Sequence, residues 1–152
     1  MMDVSVDRDR IVEILGGFFQ WEAAHFGVEA AFLYGSWAAG FPRLESDIDV
    51  AVLFDDEGTS EDDAFERLNA ITLALMKVLP SEINVIPIYS DFRKPMLYYN
   101  AIIKGIPLFF TNREKYVSLI GEALYHMEDF ETLGKRWLID LATRNLEQIS
   151  HA

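Results

Sequence analysis

The segment of residues 47–54, DIDVAVLF, constrains the fold more than any other part of this sequence. Two carboxylates, Asp47 and Asp49, alternate with apolar residues, and from Val50 onward every residue is apolar. A strand of this kind must be covered on both faces, because each face would otherwise expose apolar side chains to water. We therefore predict a buried strand from Asp47 to Phe54, with two carboxylates at its beginning.

Three other segments are typical of strands. Residues 29–34 form a short apolar run bounded by Gly35, and residues 106–110 form a second one. Residues 82–89 are also predicted to be extended. Pro87 lies within that segment and has no N–H to donate, which favours an edge strand or a bulge.

Four segments show helical periodicity. Residues 7–24 place apolar side chains at helical spacing, although two adjacent glycines weaken this helix by about 1 kcal/mol each. The next helix follows a Ser60 or Thr59 cap and ends at Pro80. The apolar positions predicted to face the core are Ile11, Ile14, Leu15, Phe18 and Trp21 in the first helix, and Phe65, Leu68, Ile71, Leu75 and Val78 or Leu79 in the second.

The last two helical segments complete the predicted order of elements. Residues 95–104 begin with Pro95 and end before Gly105, as helices often do. Residues 112–148 are predicted to form two helices, divided near residues 131–134. The order of helices and strands predicts an α+β fold, in which helices pack on a small mixed β-sheet. We expect residues 1–152 to form a single domain, helical from about residue 112.

Composition and charge exclude several classes of protein. Hydrophobic residues make up 51% of the 152 residues, which excludes a disordered chain. No apolar run approaches the roughly 18 residues of a membrane helix, and cytoplasm is the expected location. The net charge is −12, and residues 1–90 carry 17 acidic but only 5 basic residues. An acidic surface repels phosphate backbones, which argues against direct binding of nucleic acid.

The residue pair Gly35-Ser36 and the triplet Asp47-Ile48-Asp49 together predict a chemical site. Side chains alternate along a strand, so Asp47 and Asp49 lie on one face. Two close carboxylates destabilise a fold unless a cation lies between them, and oxygen ligands favour Mg²⁺ or Mn²⁺. Gly35 lets the backbone approach an anion closely, and the Ser36 hydroxyl adds a donor. This combination indicates a site for a metal-bound nucleotide. The alternative is that Asp47 is a turn residue and Asp49 an exposed strand position.

The spacing of these residues resembles a known signature. Gly35-Ser36, ten intervening residues and then Asp47-x-Asp49 are similar to the motif of the DNA polymerase beta-type nucleotidyltransferase superfamily. The short chain resembles its minimal branch, the antitoxin partners of HEPN-domain toxins. The resemblance is sharp over residues 32–54 and looser over residues 82–110. It implies a mixed sheet and transfer of a nucleoside monophosphate from a triphosphate, such as ATP, to a hydroxyl.

The resemblance also implies roles for individual residues. Asp47 and Asp49 would bind Mg²⁺ (or Mn²⁺), and a third carboxylate on a neighbouring strand would complete the metal site and help to deprotonate the acceptor. The corresponding position here is Asn84, which can offer only an amide oxygen. Glu82, two residues earlier, could take that catalytic role. Arg43 is the candidate for approaching the phosphates, together with Gly35 and Ser36, because relatives often have an Arg where this chain has Ala39.

Three functions follow as hypotheses. The first is a nucleotidyltransferase that transfers AMP from ATP to a Tyr of a HEPN-type ribonuclease toxin, in a hetero-oligomer with that toxin. The second is a catalytically weakened antitoxin that neutralises the toxin by binding it directly. The third is a small-molecule nucleotidyltransferase, which this chain has little length to support because such enzymes usually carry a further domain for the acceptor.

Overall fold

The computed structural model describes residues 4–40, 47–55, 60–79 and 81–150. Within these ranges the helices are α1 (Val4–Phe26), α2 (Ser36–Ala39), α3 (Glu61–Met76), α4 (Pro95–Ile102) and α5 (Arg113–Ser150). The strands are β1 (Val28–Tyr34), β2 (Ile48–Phe54), β3 (Ile83–Pro87) and β4 (Ile106–Phe110).

The four strands form one mixed sheet in the order β3-β2-β1-β4. β1 pairs antiparallel with both β2 and β4, whereas β2 and β3 are parallel. The predicted α+β fold with a mixed sheet is therefore confirmed. β3 lies at the edge of the sheet, and Pro87 is its last residue, as the missing N–H of proline requires.

Both faces of β2 are covered, as its apolar sequence predicted. On one face, Val50 and Val52 belong to a core with Leu15 and Phe19 of α1 and Leu75 of α3. On the other face, a second core joins strand side chains to α4 and the beginning of α5; its members include Phe32, Leu53, Tyr98, Ile102 and Leu119. Asp49 lies on this second face, at the end of the sheet where β1 finishes and β2 begins.

Helix α1 buries most of the face predicted for it, since Ile11 and Leu15 are buried and Ile14 and Phe18 pack against the same core, but Trp21 does not belong to that face. Its buried residues are Ile11, Leu15, Phe19 and Ala23, spaced four apart, whereas Trp21 is 86% exposed. The two glycines do not interrupt the helix. Their cost of about 1 kcal/mol each is smaller than the 1.5–3 kcal/mol that burial of one large apolar side chain contributes.

Helices α3 and α5 give one confirmation and two corrections. The Ser60 hydroxyl caps α3 by accepting a hydrogen bond from the backbone N–H of Asp63, at 3.2 Å, as predicted. Phe65 was expected in the core but is 64% exposed, because the first turns of α3 bury the neighbouring Ala64 instead. The predicted division near residues 131–134 is wrong, since α5 is continuous. The single glycine in that stretch costs only about 1 kcal/mol in a helix.

Candidate active site

The contact between β1 and β2 builds the centre of the site. Tyr34, the last residue of β1, lies opposite Asp49 in the antiparallel pair, so the turn at Gly35 follows directly beside the carboxylate. Gly35 has a φ of 75°, a conformation that side chains disfavour. A Cβ atom at this position would also overlap Oδ2 of Asp49. The conformation and the contact therefore both require glycine.

Ser36 begins a short helical turn immediately beside this contact. The backbone N–H of Ala39 donates to the carbonyl oxygen of Gly35 at 3.1 Å, and Gly40 ends α2 with a φ of 82°. The half-buried Ser36 is thereby fixed one residue from the Asp49 carboxylate contact. The structure brings the Gly-Ser pair and the second aspartate together, as the motif predicted.

Asp47 and Asp49 flank Ile48 at the beginning of β2. Ile48 is fully buried in the core on the opposite face, whereas Asp47 is exposed and Asp49 is half-buried. Burial raises the pKa of the Asp49 carboxyl, a hydrogen bond from Asn84 lowers it, and the negative charge of Asp47 raises it. The two carboxylates thus interact electrostatically, which places a concentration of negative charge at this end of the sheet.

Asn84 lies beside Asp49 on the parallel strand β3. The two residues are direct partners in the register, and Nδ2 of Asn84 donates a long hydrogen bond of 3.5 Å to Oδ1 of Asp49. The Asn84 side chain is exposed on its other side. An amide nitrogen and an amide oxygen exchange places by a rotation of the side chain, so Asn84 can offer either atom to this site.

Glu82 immediately precedes β3 and is tied to β2 through its backbone. Its carbonyl oxygen accepts a hydrogen bond from the N–H of Ile48 at 2.8 Å, and its side chain is exposed. Within the described ranges, no three Asp, Glu, His or Cys side chains form a group that could hold a metal ion. Glu82 therefore borders the aspartate pair without joining it in a three-acid cluster.

The donor set nevertheless fits a hard divalent cation. Mg²⁺ commonly takes one or two carboxylates from a protein and completes its shell with water and substrate phosphate. Asp47 and Asp49 provide two carboxylates, and Asn84 provides an amide oxygen after rotation. Arg43, the predicted phosphate-binding residue, lies outside the described residues.

Tyr34 is a site residue that the sequence reasoning missed. Burial, and to a smaller extent the charge of Asp49, raises its pKa to about 12, so its phenol stays neutral at physiological pH. The sequence carried no local signal for it, because the position of Tyr34 opposite Asp49 depends on the register between β1 and β2. A cavity of about 520 Å³ lies elsewhere, against Phe26 and Arg67, and shares no residue with this site.

Comparison with known families decides the assignment. Residues 22–114 match the family described as polymerase beta, nucleotidyltransferase, and this range includes all four strands and the candidate site. The chain belongs to this family. The prediction made from the Gly-Ser and Asp-x-Asp motifs is thereby confirmed for the nucleotidyltransferase fold. A comparison with curated proteins found no significant match.

Several solved structures have the same fold as this nucleotidyltransferase. A toxin-antitoxin structure with AMP-PNP matches with a TM-score of 0.64 at 16% identity, covering 83% of this chain and 97% of the other. A complex of the tri-AMPylated Shewanella oneidensis HEPN toxin with an MNT antitoxin matches with a TM-score of 0.59 at 14% identity, covering 86% and 98%. The MntA-HepT toxin-antitoxin structure matches with a TM-score of 0.54 at 15% identity, covering 90% and 97%. At these identities the similarity establishes the fold alone.

The described part of this nucleotidyltransferase contains no helix with the length and apolar character needed to cross a membrane.

Proposed function

We propose that this nucleotidyltransferase is an antitoxin that transfers AMP from ATP to a Tyr hydroxyl of a HEPN-domain ribonuclease toxin and so neutralises it. Family membership supports the transfer of a nucleotide in general. The structural similarity to toxin-antitoxin complexes, one with AMP-PNP and one with a tri-AMPylated HEPN toxin, supports this acceptor and a hetero-oligomer with the toxin.

The contact of Gly35 with the Asp49 carboxylate, next to Asp47, carries the proposal. It joins a turn that can accommodate phosphate to a pair of interacting carboxylates. A protein that only binds its partner has no need for two adjacent carboxylates, since their repulsion and the partial burial of Asp49 destabilise the fold. A site for a cation and a triphosphate explains why both acids and the glycine are placed together.

In this proposal, Asp47 and Asp49 hold Mg²⁺ or Mn²⁺, and Asn84 contributes its amide oxygen. When bound, the cation neutralises charge on the triphosphate and on the phosphorus being transferred. Gly35 and Ser36 orient the departing pyrophosphate, with Arg43 as a further candidate. Because the Asp49 carboxylate lies against the backbone of Gly35 and accepts a hydrogen bond from Asn84, it is oriented before any substrate arrives.

The acceptor side of the site is formed by the exposed residues at the beginning of β3. Transfer forms a bond from the acceptor oxygen to the α-phosphorus of ATP, breaks the bond from that phosphorus to the bridging oxygen, and releases pyrophosphate. Glu82 orients or activates the acceptor hydroxyl, or Asn84 orients it by hydrogen bonding. Both side chains are exposed, and thus accessible to a residue of a partner protein.

A second candidate function is an antitoxin that neutralises the toxin by binding it directly, with little or no transfer. The observation that favours it is Asn84, which brings no negative charge to a position directly beside Asp49. The two candidates differ in one measurable quantity, the mass of the toxin after incubation.

The experiment incubates the purified chain with a HEPN-domain toxin, ATP and Mg²⁺, followed by intact-mass spectrometry of the toxin. We expect a mass increase of one or more AMP units. Asp49→Asn should abolish it, whereas Asp140→Asn, which removes an exposed carboxylate on α5, should not. Toxin that is bound and silenced at unchanged mass would establish direct binding instead.

A further inference from the structure

Asn84 occupies the position on β3 that directly adjoins the Asp49 carboxylate. The parallel register pairs the two residues, and the amide N–H points to Oδ1 of Asp49. The remainder of the Asn84 side chain is exposed. A hydroxyl group approaching the site from the β3 side would therefore meet Asn84 next to Asp49.

An amide and a carboxylate differ in one chemical ability at such a position. A carboxylate can accept the proton of a hydroxyl nucleophile, and a well-placed general base contributes about 10²–10⁴-fold to a rate. An amide can orient the hydroxyl by hydrogen bonding but cannot take its proton. Because residue 84 is an amide, it cannot help the acceptor hydroxyl to lose its proton. The rate of transfer then depends on the pKa of the acceptor itself.

We propose that Asn84 determines acceptor specificity by restricting transfer to phenols, an inference that rests on the nucleotidyltransferase activity proposed above. A phenol such as Tyr has a pKa near 10, so about one molecule in a thousand is ionised at pH 7. The hydroxyls of Ser, Thr and ribose are far weaker acids and need a base to react. The amide at position 84 therefore favours Tyr acceptors over aliphatic ones.

The step balances without a protein base. The phenolic proton leaves to solvent water, the phenolate oxygen bonds to the α-phosphorus, and the bond from that phosphorus to the bridging oxygen breaks. The electron pair of the broken bond leaves with pyrophosphate. No oxidant or further reactant is required, and Asn84 acts as a positioning residue.

The test measures transfer to two acceptors by two forms of the enzyme. The acceptors are the HEPN toxin and the same toxin with its modified Tyr replaced by Ser. The native chain is expected to modify Tyr at least about 100-fold faster than Ser. Asn84→Asp should raise the rate with Ser by about 10²-fold or more and change the rate with Tyr far less. The ratio of the Tyr rate to the Ser rate should therefore fall.

Two further variants separate specificity from a structural effect. Asn84→Ala removes the hydrogen bond to Asp49 but adds no base, so it should slow transfer to Tyr several-fold and leave the preference for Tyr unchanged. Asp140→Asn, which changes an exposed carboxylate on α5 that has no role in the site, is the control and should leave the rates with both acceptors unchanged. Circular dichroism and nucleotide binding by calorimetry establish that each variant is folded.

Several results would each overturn the inference while the proposed function stands. These are native transfer to Ser within about tenfold of the rate with Tyr, an equal gain for both acceptors in Asn84→Asp, or a Ser rate unchanged by that variant. A loss of Tyr transfer by about 10²-fold or more in Glu82→Gln would identify Glu82 as the base and also refute the inference. Absence of transfer to either acceptor by the native chain would overturn the proposed function as well.

Discussion

The backbone of Gly35 packs directly against the carboxylate of Asp49. Tyr34 and Asp49 are partners across β1 and β2, and the turn after β1 passes so close to Oδ2 that no Cβ atom fits between them. The φ of 75° at Gly35 is part of the same arrangement, because it directs the chain into α2. The glycine of the motif is thus a geometric requirement for placing Ser36 beside the acid.

Gly35→Ala is expected to lower the free energy of unfolding by about 1–3 kcal/mol, because alanine is strained at this φ and its Cβ displaces the Asp49 carboxylate. Urea denaturation measures the effect. Gly121→Ala is the matched control, since Gly121 is exposed in α5 with open space around it and should gain about 0.5–1 kcal/mol. Equal stability of Gly35→Ala and the native chain would contradict the close contact.

Asp49→Asn is expected to stabilise the ligand-free protein at neutral pH. Folding raises the pKa of Asp49, so the fold favours the protonated carboxyl. At pH values below the pKa of 3.8 in the unfolded chain, the carboxyl is protonated in both states and does not lower the free energy of unfolding. As the pH rises through the higher pKa of the folded chain, the ionised carboxylate destabilises the fold increasingly. At pH 7 the free energy of unfolding of Asp49→Asn should therefore be higher than that of the native chain.

Denaturation without divalent cations, at several pH values from about 3 to 8, tests this sign. The difference between Asp49→Asn and the native chain should disappear at the acidic end. Asp140→Asn on the exposed surface of α5 is the control and should show no comparable gain. A native chain more stable than Asp49→Asn at pH 7 would mean that the carboxylate is stabilised in the fold by contacts other than those identified.

The features predicted correctly from the sequence are those in which one local pattern determines one structure. The run of apolar residues after Asp49 required a strand covered on both faces, and Pro87 favoured an edge position or a bulge, of which the structure has the edge position. Ser60 could be recognised as a cap because its hydroxyl satisfies an N–H that the first turn of α3 leaves unpaired. In each case, hydrogen bonding or burial left few alternatives.

The features that the sequence did not predict depend on competition between segments. Trp21 and Phe65 have helical spacing to buried residues, but each helix buries only the stripe of side chains that faces the sheet. The sheet against which the helix packs determines which stripe that is. The continuity of α5 through residues 131–134 depends in the same way on more than the local pattern, because the residues on both sides continue one helix through a glycine that costs only about 1 kcal/mol. The contact of Tyr34 with the site required the strand register, which no local pattern encodes.

Ser60→Ala should lower the free energy of unfolding by about 1 kcal/mol without altering nucleotide transfer. The Ser60 hydroxyl accepts the N–H of Asp63 at 3.2 Å, and alanine leaves that donor without its cap. Ser60→Asp keeps an acceptor at this position and should retain most of the stability. Urea denaturation and the toxin mass assay separate the two properties. A loss of transfer in Ser60→Ala at temperatures where it is fully folded would show that α3 takes part in the site.

Binding of nucleotide should depend on a divalent cation and on both aspartates. A non-hydrolysable ATP analogue at about 100 times its dissociation constant, with Mg²⁺ present, should raise the free energy of unfolding of the native chain by about 2.7 kcal/mol. This gain is measured as a higher melting temperature. Chelation of the cation should remove the gain, because Asp47 and Asp49 then repel the triphosphate. Asp47→Asn and Asp49→Asn should each lose most of it, whereas Asp140→Asn should keep it. A gain that persists in the chelator, or in Asp49→Asn, would place the nucleotide at a different site from the one formed by β1, β2 and β3.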